Sequence, residues 1–261
     1  MHENADNLNI SDLQEEASTI GYQYLKGLVF LNKHKDEKAE EAFKNILNSD
    51  KNQIEARWGL AEVMRREHKL KKSEEILKEI IEERTDFSPA YISLAYIEYT
   101  TMDWKQAIRL AEKVIDQGRD KVDTSNYVRA YLIIAGSRGL IAYHGGLFTK
   151  LFEGLRVFST LKKAAKIRPD SAAVALGMGS FYLLAPAIAG GDIDKAETYL
   201  KDAIESDPLL ADAYVRLAQV YKAKGDPERY KAYLDKAVRI DPGNELANDI
   251  KSGKCNFICV D

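Results

Sequence analysis

The chain has 261 residues, 45% of them hydrophobic and 30% charged, with a formal net charge of -3. Such a chain can bury a large apolar surface, and its near-neutral balance excludes the broad basic character of a nucleic-acid binder. No run approaches the roughly 20 apolar residues of a membrane helix, and the opening MHENADNLNISDLQEE is too polar for a secretory signal. The expected location is the cytoplasm, or the periplasm if a signal has been removed.

In chain order, residues 1–10 are expected to be disordered. Ser11-Asp12-Leu13-Gln14 has capping-box spacing and is expected to open the first helix. From residue 20 onward a pattern recurs. Ala39, Phe43 and Ile46 answer to Ser73, Leu77 and Ile80, and these in turn to Ala107, Ala111 and Val114. Three repeats of equal length follow, 20–53, 54–87 and 88–121. A longer fourth spans 122–171, a fifth 172–210, and a sixth 211–244 returns to the first length. Inside each repeat, apolar residues at steps of three and four predict two helices with one buried face apiece. In the sixth, Tyr214, Leu217, Ala218 and Tyr221 precede Gly225, and Tyr230, Leu234 and Ala237 follow it. The fifth carries Gly190-Gly191-Asp192 at the matching place. Without a preceding strand or a G-K-S/T ending, this is a turn with a helix cap at Asp192 rather than a phosphate cradle.

After the sixth repeat, Asn244 is expected to cap a short helix, Glu245 to Lys251, closed by Gly253. Residues 253–261 then form a tail with Cys255 and Cys259 as C-x3-C. A structural zinc site needs four ligands, and the four histidines bring no second pair. An incidental tail is the expectation, with a metal or redox role the lesser reading.

These repeats resemble the tetratricopeptide repeat family, whose 34-residue unit is two antiparallel helices with small residues at their crossing. The resemblance implies an all-α fold, a right-handed solenoid of about six helix pairs with a C-terminal capping helix, forming one domain over 11–252. Thr85 and Arg119 stand where the unit-ending proline is expected, and Lys26 replaces an apolar anchor. In such a solenoid the first helix of each repeat lines a concave groove. The inward positions would be Tyr24, Leu28 and Leu31; Trp58, Glu62 and Arg65; Ile92, Tyr96 and Tyr99. Later repeats supply Asn126, Ala130, Ile133, Leu176, Ser180, Leu183, Val215, Gln219 and Lys222.

Family members that clamp a chaperone C-terminus use Lys and Asn where this chain has Tyr24 and Leu28, so that ligand is not expected. An aromatic, mostly apolar groove suits an amphipathic helix or an apolar polypeptide segment. The competing reading is that Trp58, Tyr96 and Tyr99 fill the core between helices. Repeats four to six, about residues 122–242, also resemble bacterial TRAP-transporter T-component proteins, which are periplasmic, lipid-anchored and associate with a solute-binding partner. That would imply ligand binding or oligomeric assembly.

The extra residues of repeats four and five fall between their paired helices and are expected to form enlarged loops on one edge, exposing His144, Phe148, Lys150, Phe152, Pro186 and Ile188. Arg138 to Arg168 carries seven Lys or Arg against the single acid Glu153. Leu147, Leu151, Leu155 and Phe158 lie at steps of four and three, beside Phe148 and Phe152. Such a segment can lie on an anionic membrane surface or meet an acidic partner, but the first expectation is that its apolar residues cap the core of the fifth repeat. No catalytic triad context, phosphate-binding loop or metal-ligand set appears, and the carboxylates alternate with lysines as solvated helix faces. A non-enzymatic scaffold without cofactor or metal is therefore expected. It would bind a polypeptide and not nucleic acid, and an oligomer is compatible with this reading.

Overall fold

The computed structural model describes residues 19–260, so the expectations for residues 1–10 and for the capping box at Ser11 lie outside the described residues. Six helix pairs and a short terminal helix follow in order. They are α1 (Ile20–Asn32) with α2 (Asp36–Ser49), α3 (Ile54–Arg66) with α4 (Leu70–Glu83), and α5 (Ser88–Thr100) with α6 (Trp104–Gln117). Then come α7 (Thr124–His144) with α8 (Leu147–Ile167), α9 (Ala172–Leu184) with α10 (Ile193–Ser206), α11 (Ala211–Ala223) with α12 (Pro227–Ile240), and α13 (Glu245–Ser252). Among the described residues the helices gather into two compact parts, one comprising 19–101 and 109–127, the other 102–108 and 128–260.

In the first part the packing rests on a ring between two glycines. Phe43 of α2 is fully buried, and a Cβ at Gly27 of α1 or at Gly59 of α3 would each lie 2.5 Å from its Cε1. Only hydrogen at those two positions lets the helices close on the ring. Lys26, which departs from the apolar pattern, keeps its ammonium outside, 5.9 Å from the Phe30 ring centre. The second part repeats the device, with Gly179 of α9 placed so that a Cβ would meet Leu200 Cγ of α10 at 2.7 Å.

The turn inside each regular pair is also repeated. His34, His68 and Met102 have φ of 53°, 60° and 73°, and Gly225 has φ of 73°. In the first, second and sixth pairs two backbone bonds close the first helix, as in Lys35 N to Phe30 O and His34 N to Leu31 O, or Asp226 N to Tyr221 O and Gly225 N to Lys222 O. This is the Schellman arrangement, which requires a left-handed residue just past the helix. Glycine supplies that conformation freely in the sixth pair, whereas the first three adopt it with a side chain at some cost.

The fourth pair corrects an expectation. Its extra residues form no enlarged loop: α7 and α8 are each 21 residues long and are joined only by Gly145-Gly146. A Cβ at Gly145 would lie 2.6 Å from Thr149 Cβ and 2.7 Å from the Ile141 carbonyl, so this tight corner needs glycine and the insertion is spent on two added helical stretches. In the fifth pair the added residues do leave the helix. Pro186 follows the end of α9, a short 3-10 turn covers Ala187–Ala189, and Gly190 takes φ 100°. Asp192 then caps α10 by accepting from the Asp194 and Lys195 amides at 3.1 Å each, which holds its carboxyl below the usual aspartate range. At the far end Asn244 accepts from Ala247 N at 2.9 Å and Gly253 closes α13 in the left-handed conformation.

Candidate functional site

Two surfaces built by first helices draw attention, one in each compact part. In the first, α3 and α5 place Trp58, Glu62, Arg65, Tyr96 and Tyr99 in one connected array. The Trp58 indole N–H donates to Ser93 Oγ at 3.1 Å, and the Ser93 hydroxyl donates to Glu62 Oε2 at 2.7 Å. Arg65 grips the same carboxylate with two N–H groups, at 2.7 Å and 3.1 Å. Its guanidinium then lies 4.4 Å from the centre of the Tyr96 ring, and Tyr96 meets Tyr99 at 6.3 Å. Trp58, Ser93 and Glu62 are buried while Arg65, Tyr96 and Tyr99 are half-exposed, so the buried members fix the presented ones.

Tyr24, Leu28 and Ile92 share the predicted register but are buried, and burial pushes the Tyr24 phenol far up. A partner touching this face therefore meets Arg65, Tyr96 and Tyr99, with Trp58 beneath them. Ser93 was invisible to periodicity. It sits one residue past the inward position of Ile92, and only the pairing of α3 with α5 shows that it links two helices.

The second surface is already covered, and by the chain itself. Residues 256–260 run across α11, where Gln219 and Lys222 stand at the predicted inward positions of the sixth repeat. Arg216 donates to the Phe257 carbonyl at 2.9 Å and to the Ile258 carbonyl at 3.1 Å. Gln219 Nε2 donates to the Ile258 carbonyl at 3.1 Å, while its Oε1 accepts from Arg216 at 2.8 Å. Lys222 Nζ reaches the Val260 carbonyl at 2.8 Å. From α13, Asp249 accepts from the Phe257 amide at 2.8 Å and from Asn256 Nδ2 at 3.0 Å. His144, placed by sequence on an exposed edge, donates through Nε2 to the Asn256 carbonyl at 2.8 Å and stacks on Trp104 at 5.1 Å.

Cys255 and Cys259 are bonded to each other, which corrects the reading of an incidental tail. Among the described residues no cluster of His, Cys, Asp or Glu could hold a metal ion. The C-x3-C spacing was the available signal; the docking was not legible, because it joins side chains of α11 and α13 to a segment some 40 residues beyond α11.

The edge residues divide. Along α8, Phe158 stacks on Phe181 of α9 at 4.7 Å, and Leu161 is buried in the same cluster. Nearer the tip the expectation of core capping fails: Leu147, Phe148, Leu151, Phe152 and Leu155 are exposed, with Leu147 at 80% and Phe148 at 77%. Lys150 is exposed beside them and Pro186 and Ile188 project from the α9–α10 loop. At 100° per residue the exposed apolar positions and Lys162, Lys163 and Lys166 share one side of α8. That face is apolar over its first turns and basic over its last.

Residues 187–252 match the family model of the tetratricopeptide repeat. Lipopolysaccharide assembly protein B of Escherichia coli K12 is 23% identical over 272 positions, covering 88% of this chain and 65% of that protein. The chain thus spans about two thirds or slightly less of the length of the curated relatives it matches. Among solved structures, the human IFIT1 dimer with m7Gppp-AAAA superposes with a TM-score of 0.65 at 15% identity, covering 95% of this chain and 58% of that one. A tetratricopeptide repeat protein from Parabacteroides merdae gives 0.58 at 13% identity, covering 96% and 90%. At these identities the likeness shows the fold.

Proposed function

We propose that this chain, whose fold is that of tetratricopeptide-repeat proteins, is a non-enzymatic scaffold that holds a polypeptide segment on the inward faces of its first helices. The observation that carries this is the α11 face, where repeat positions occupied by Gln219 and Lys222 hydrogen-bond the carbonyls of a docked segment of the chain. Counted along the repeats, Glu62 and Arg65 of α3 stand at those same two positions, and Tyr96 and Tyr99 of α5 at the next pair. The half-exposed Arg65–Tyr96–Tyr99 surface supplies a cation, two rings and phenol hydroxyls, groups suited to an apolar or amphipathic segment with polar main-chain contacts.

The disulfide favours an oxidising compartment such as the periplasm over a reducing cytosol. Among the described residues no helix is long and apolar enough to cross a membrane. The test is retention of a partner by the immobilised chain. A Tyr96→Ala variant with an unchanged circular dichroism spectrum should lose the retained polypeptide, and equal retention by the variant would remove the α3–α5 face from the account.

A second reading is favoured by the α8 tip, that of a peripheral membrane adaptor. Five exposed Leu and Phe side chains over the first turns of α8, with Lys150 among them and Lys162, Lys163 and Lys166 further along the same face, would enter the boundary of an anionic bilayer. Co-sedimentation with phosphatidylglycerol vesicles at low salt, abolished by Phe148→Glu with Phe152→Glu, is the expected result; no sedimentation at low salt would dismiss this reading.

A further inference from the structure

We propose that the inward face of α11 is a binding site for the main chain of a peptide turn, with the protein's own residues 256–260 as resident occupant and the Cys255–Cys259 disulfide as the latch that keeps them there. This rests on the reading of the first-helix faces as polypeptide-binding surfaces and names both the ligand class and the regulation of one of them.

The recognition is mainly of backbone, with one side-chain bond from Asn256 Nδ2 to Asp249. The carbonyls of Asn256, Phe257, Ile258 and Val260 and the amide of Phe257 all meet groups from α7, α11 and α13, and only the Phe257 ring is buried in the docked segment. The donors are held by one another as well as by the occupant. Arg216 is 6% exposed and Gln219 1%, and each fixes the other through a 2.8 Å bond. A site of this form accepts a turn that offers consecutive carbonyls, one large apolar side chain and, ahead of it, a side-chain amide for Asp249, because the remaining hydrogen bonds go to the occupant's main chain.

The occupant is held in a conformation that a free tail would leave. Cys255 has φ 55° and Ile258 φ 66°, and the left-handed region disfavours side chains, a β-branched one most of all. The bond between residues 255 and 259 restricts the undocked segment to a short ring, so less entropy is lost on docking. For a ring of that size the loop-entropy estimate corresponds to roughly thirty-fold in the docked population. Opening the latch is a thiol–disulfide exchange with a dithiol reductant. Its thiolate attacks one cysteine sulfur and displaces the other as thiolate, and its second thiol then resolves the mixed disulfide. Two electrons pass from the dithiol, which becomes a disulfide, and two protons end on Cys255 and Cys259.

The test uses the full chain and, as probe, a fluorescein-labelled synthetic peptide of residues 254–261 with its own disulfide formed. In anisotropy titrations without reductant, the Cys255→Ser/Cys259→Ser variant should bind this probe at least ten-fold more tightly than the wild-type protein. Adding Gln219→Ala to the double variant should abolish that binding. Amide exchange supplies a second measurement, with the Phe257 amide protected in the wild type and at least ten-fold less protected in the double variant. Equal probe binding by the wild type and the double variant, or binding indifferent to Gln219→Ala, would overturn the site. Undiminished protection of the Phe257 amide in the double variant would overturn the latch. Neither result depends on Tyr96, so the α3–α5 face stands or falls by its own experiment.

Discussion

Replacing Gly59 by alanine sets two effects of opposite sign against each other, and the structure decides the outcome. Alanine is favoured over glycine in a helix interior by about 1 kcal/mol, so at an open position the change would stabilise the chain. Here the new methyl would lie 2.5 Å from two atoms of the Phe43 ring and 2.6 Å from a third. Phe43 is fully buried with Gly27 pressing on the same ring edge, so it cannot swing aside without displacing α1. Overpacking of this kind costs typically 1–3 kcal/mol, and with both glycines touching the ring the upper half applies. The net expectation is a loss of about 1–2 kcal/mol, a fall in Tm of roughly 2–8 °C for a chain of this size. Thermal unfolding followed by circular dichroism would measure it. Phe43→Leu alone should also destabilise, by leaving space beside both glycines. Combined with Gly59→Ala it should lose less than the sum, because the smaller side chain makes room for the methyl. A Gly59→Ala protein as stable as the wild type, or strictly additive losses, would refute this account of the helix crossing.

Other predictions follow from single features. Met102 holds a left-handed conformation at an exposed turn, so Met102→Gly should stabilise by about 0.5–1 kcal/mol, read as a higher Tm, despite the extra freedom glycine gives the unfolded chain. Glu197 accepts hydrogen bonds from Lys201 and Lys224, which with the Tyr221 hydroxyl draw its carboxyl down from the usual 4.5 to about 2. Its folded value lies below its unfolded one, so its contribution is present above about pH 4.5 and is lost as pH falls toward 2. Half-exposed lysines limit this to on the order of 1–2 kcal/mol. The Tm gap between wild type and Glu197→Gln should close between pH 5 and pH 2, and a gap independent of pH would contradict the assignment.

How much of this was legible in the sequence depends on what kind of contact carried the information. The pairs of helices were readable because each buried face recurs at the same spacing, and the start of α3 at Ile54 or of α11 at Ala211 coincides with a repeat boundary. Asp192 and Asn244 were readable because caps are local, involving a side chain and an amide two or three residues away. The fourth pair was misjudged because its extra residues were assigned to an enlarged loop, although Leu147, Leu151, Leu155 and Phe158 kept helical spacing. Ser93 and the tail were out of reach for another reason. Their roles arise from partners 31 and 39–41 residues away, and no period in the chain marks such pairings. The turn residues show the same limit in reverse: glycine suits the left-handed geometry at 225, but His34, His68 and Met102 adopt it because the repeat demands it, not because their own preferences do.

The central claim, that a polypeptide lies on the α3–α5 face, is tested most directly by a photo-crosslinking residue placed at position 96. A second one at position 75, on the exposed side of α4, serves as control. Irradiation of cells that make the protein, followed by mass spectrometry of the adducts, should give one discrete polypeptide adduct from position 96 and none from position 75. No adduct at position 96, or the same adducts from both positions, would contradict the account.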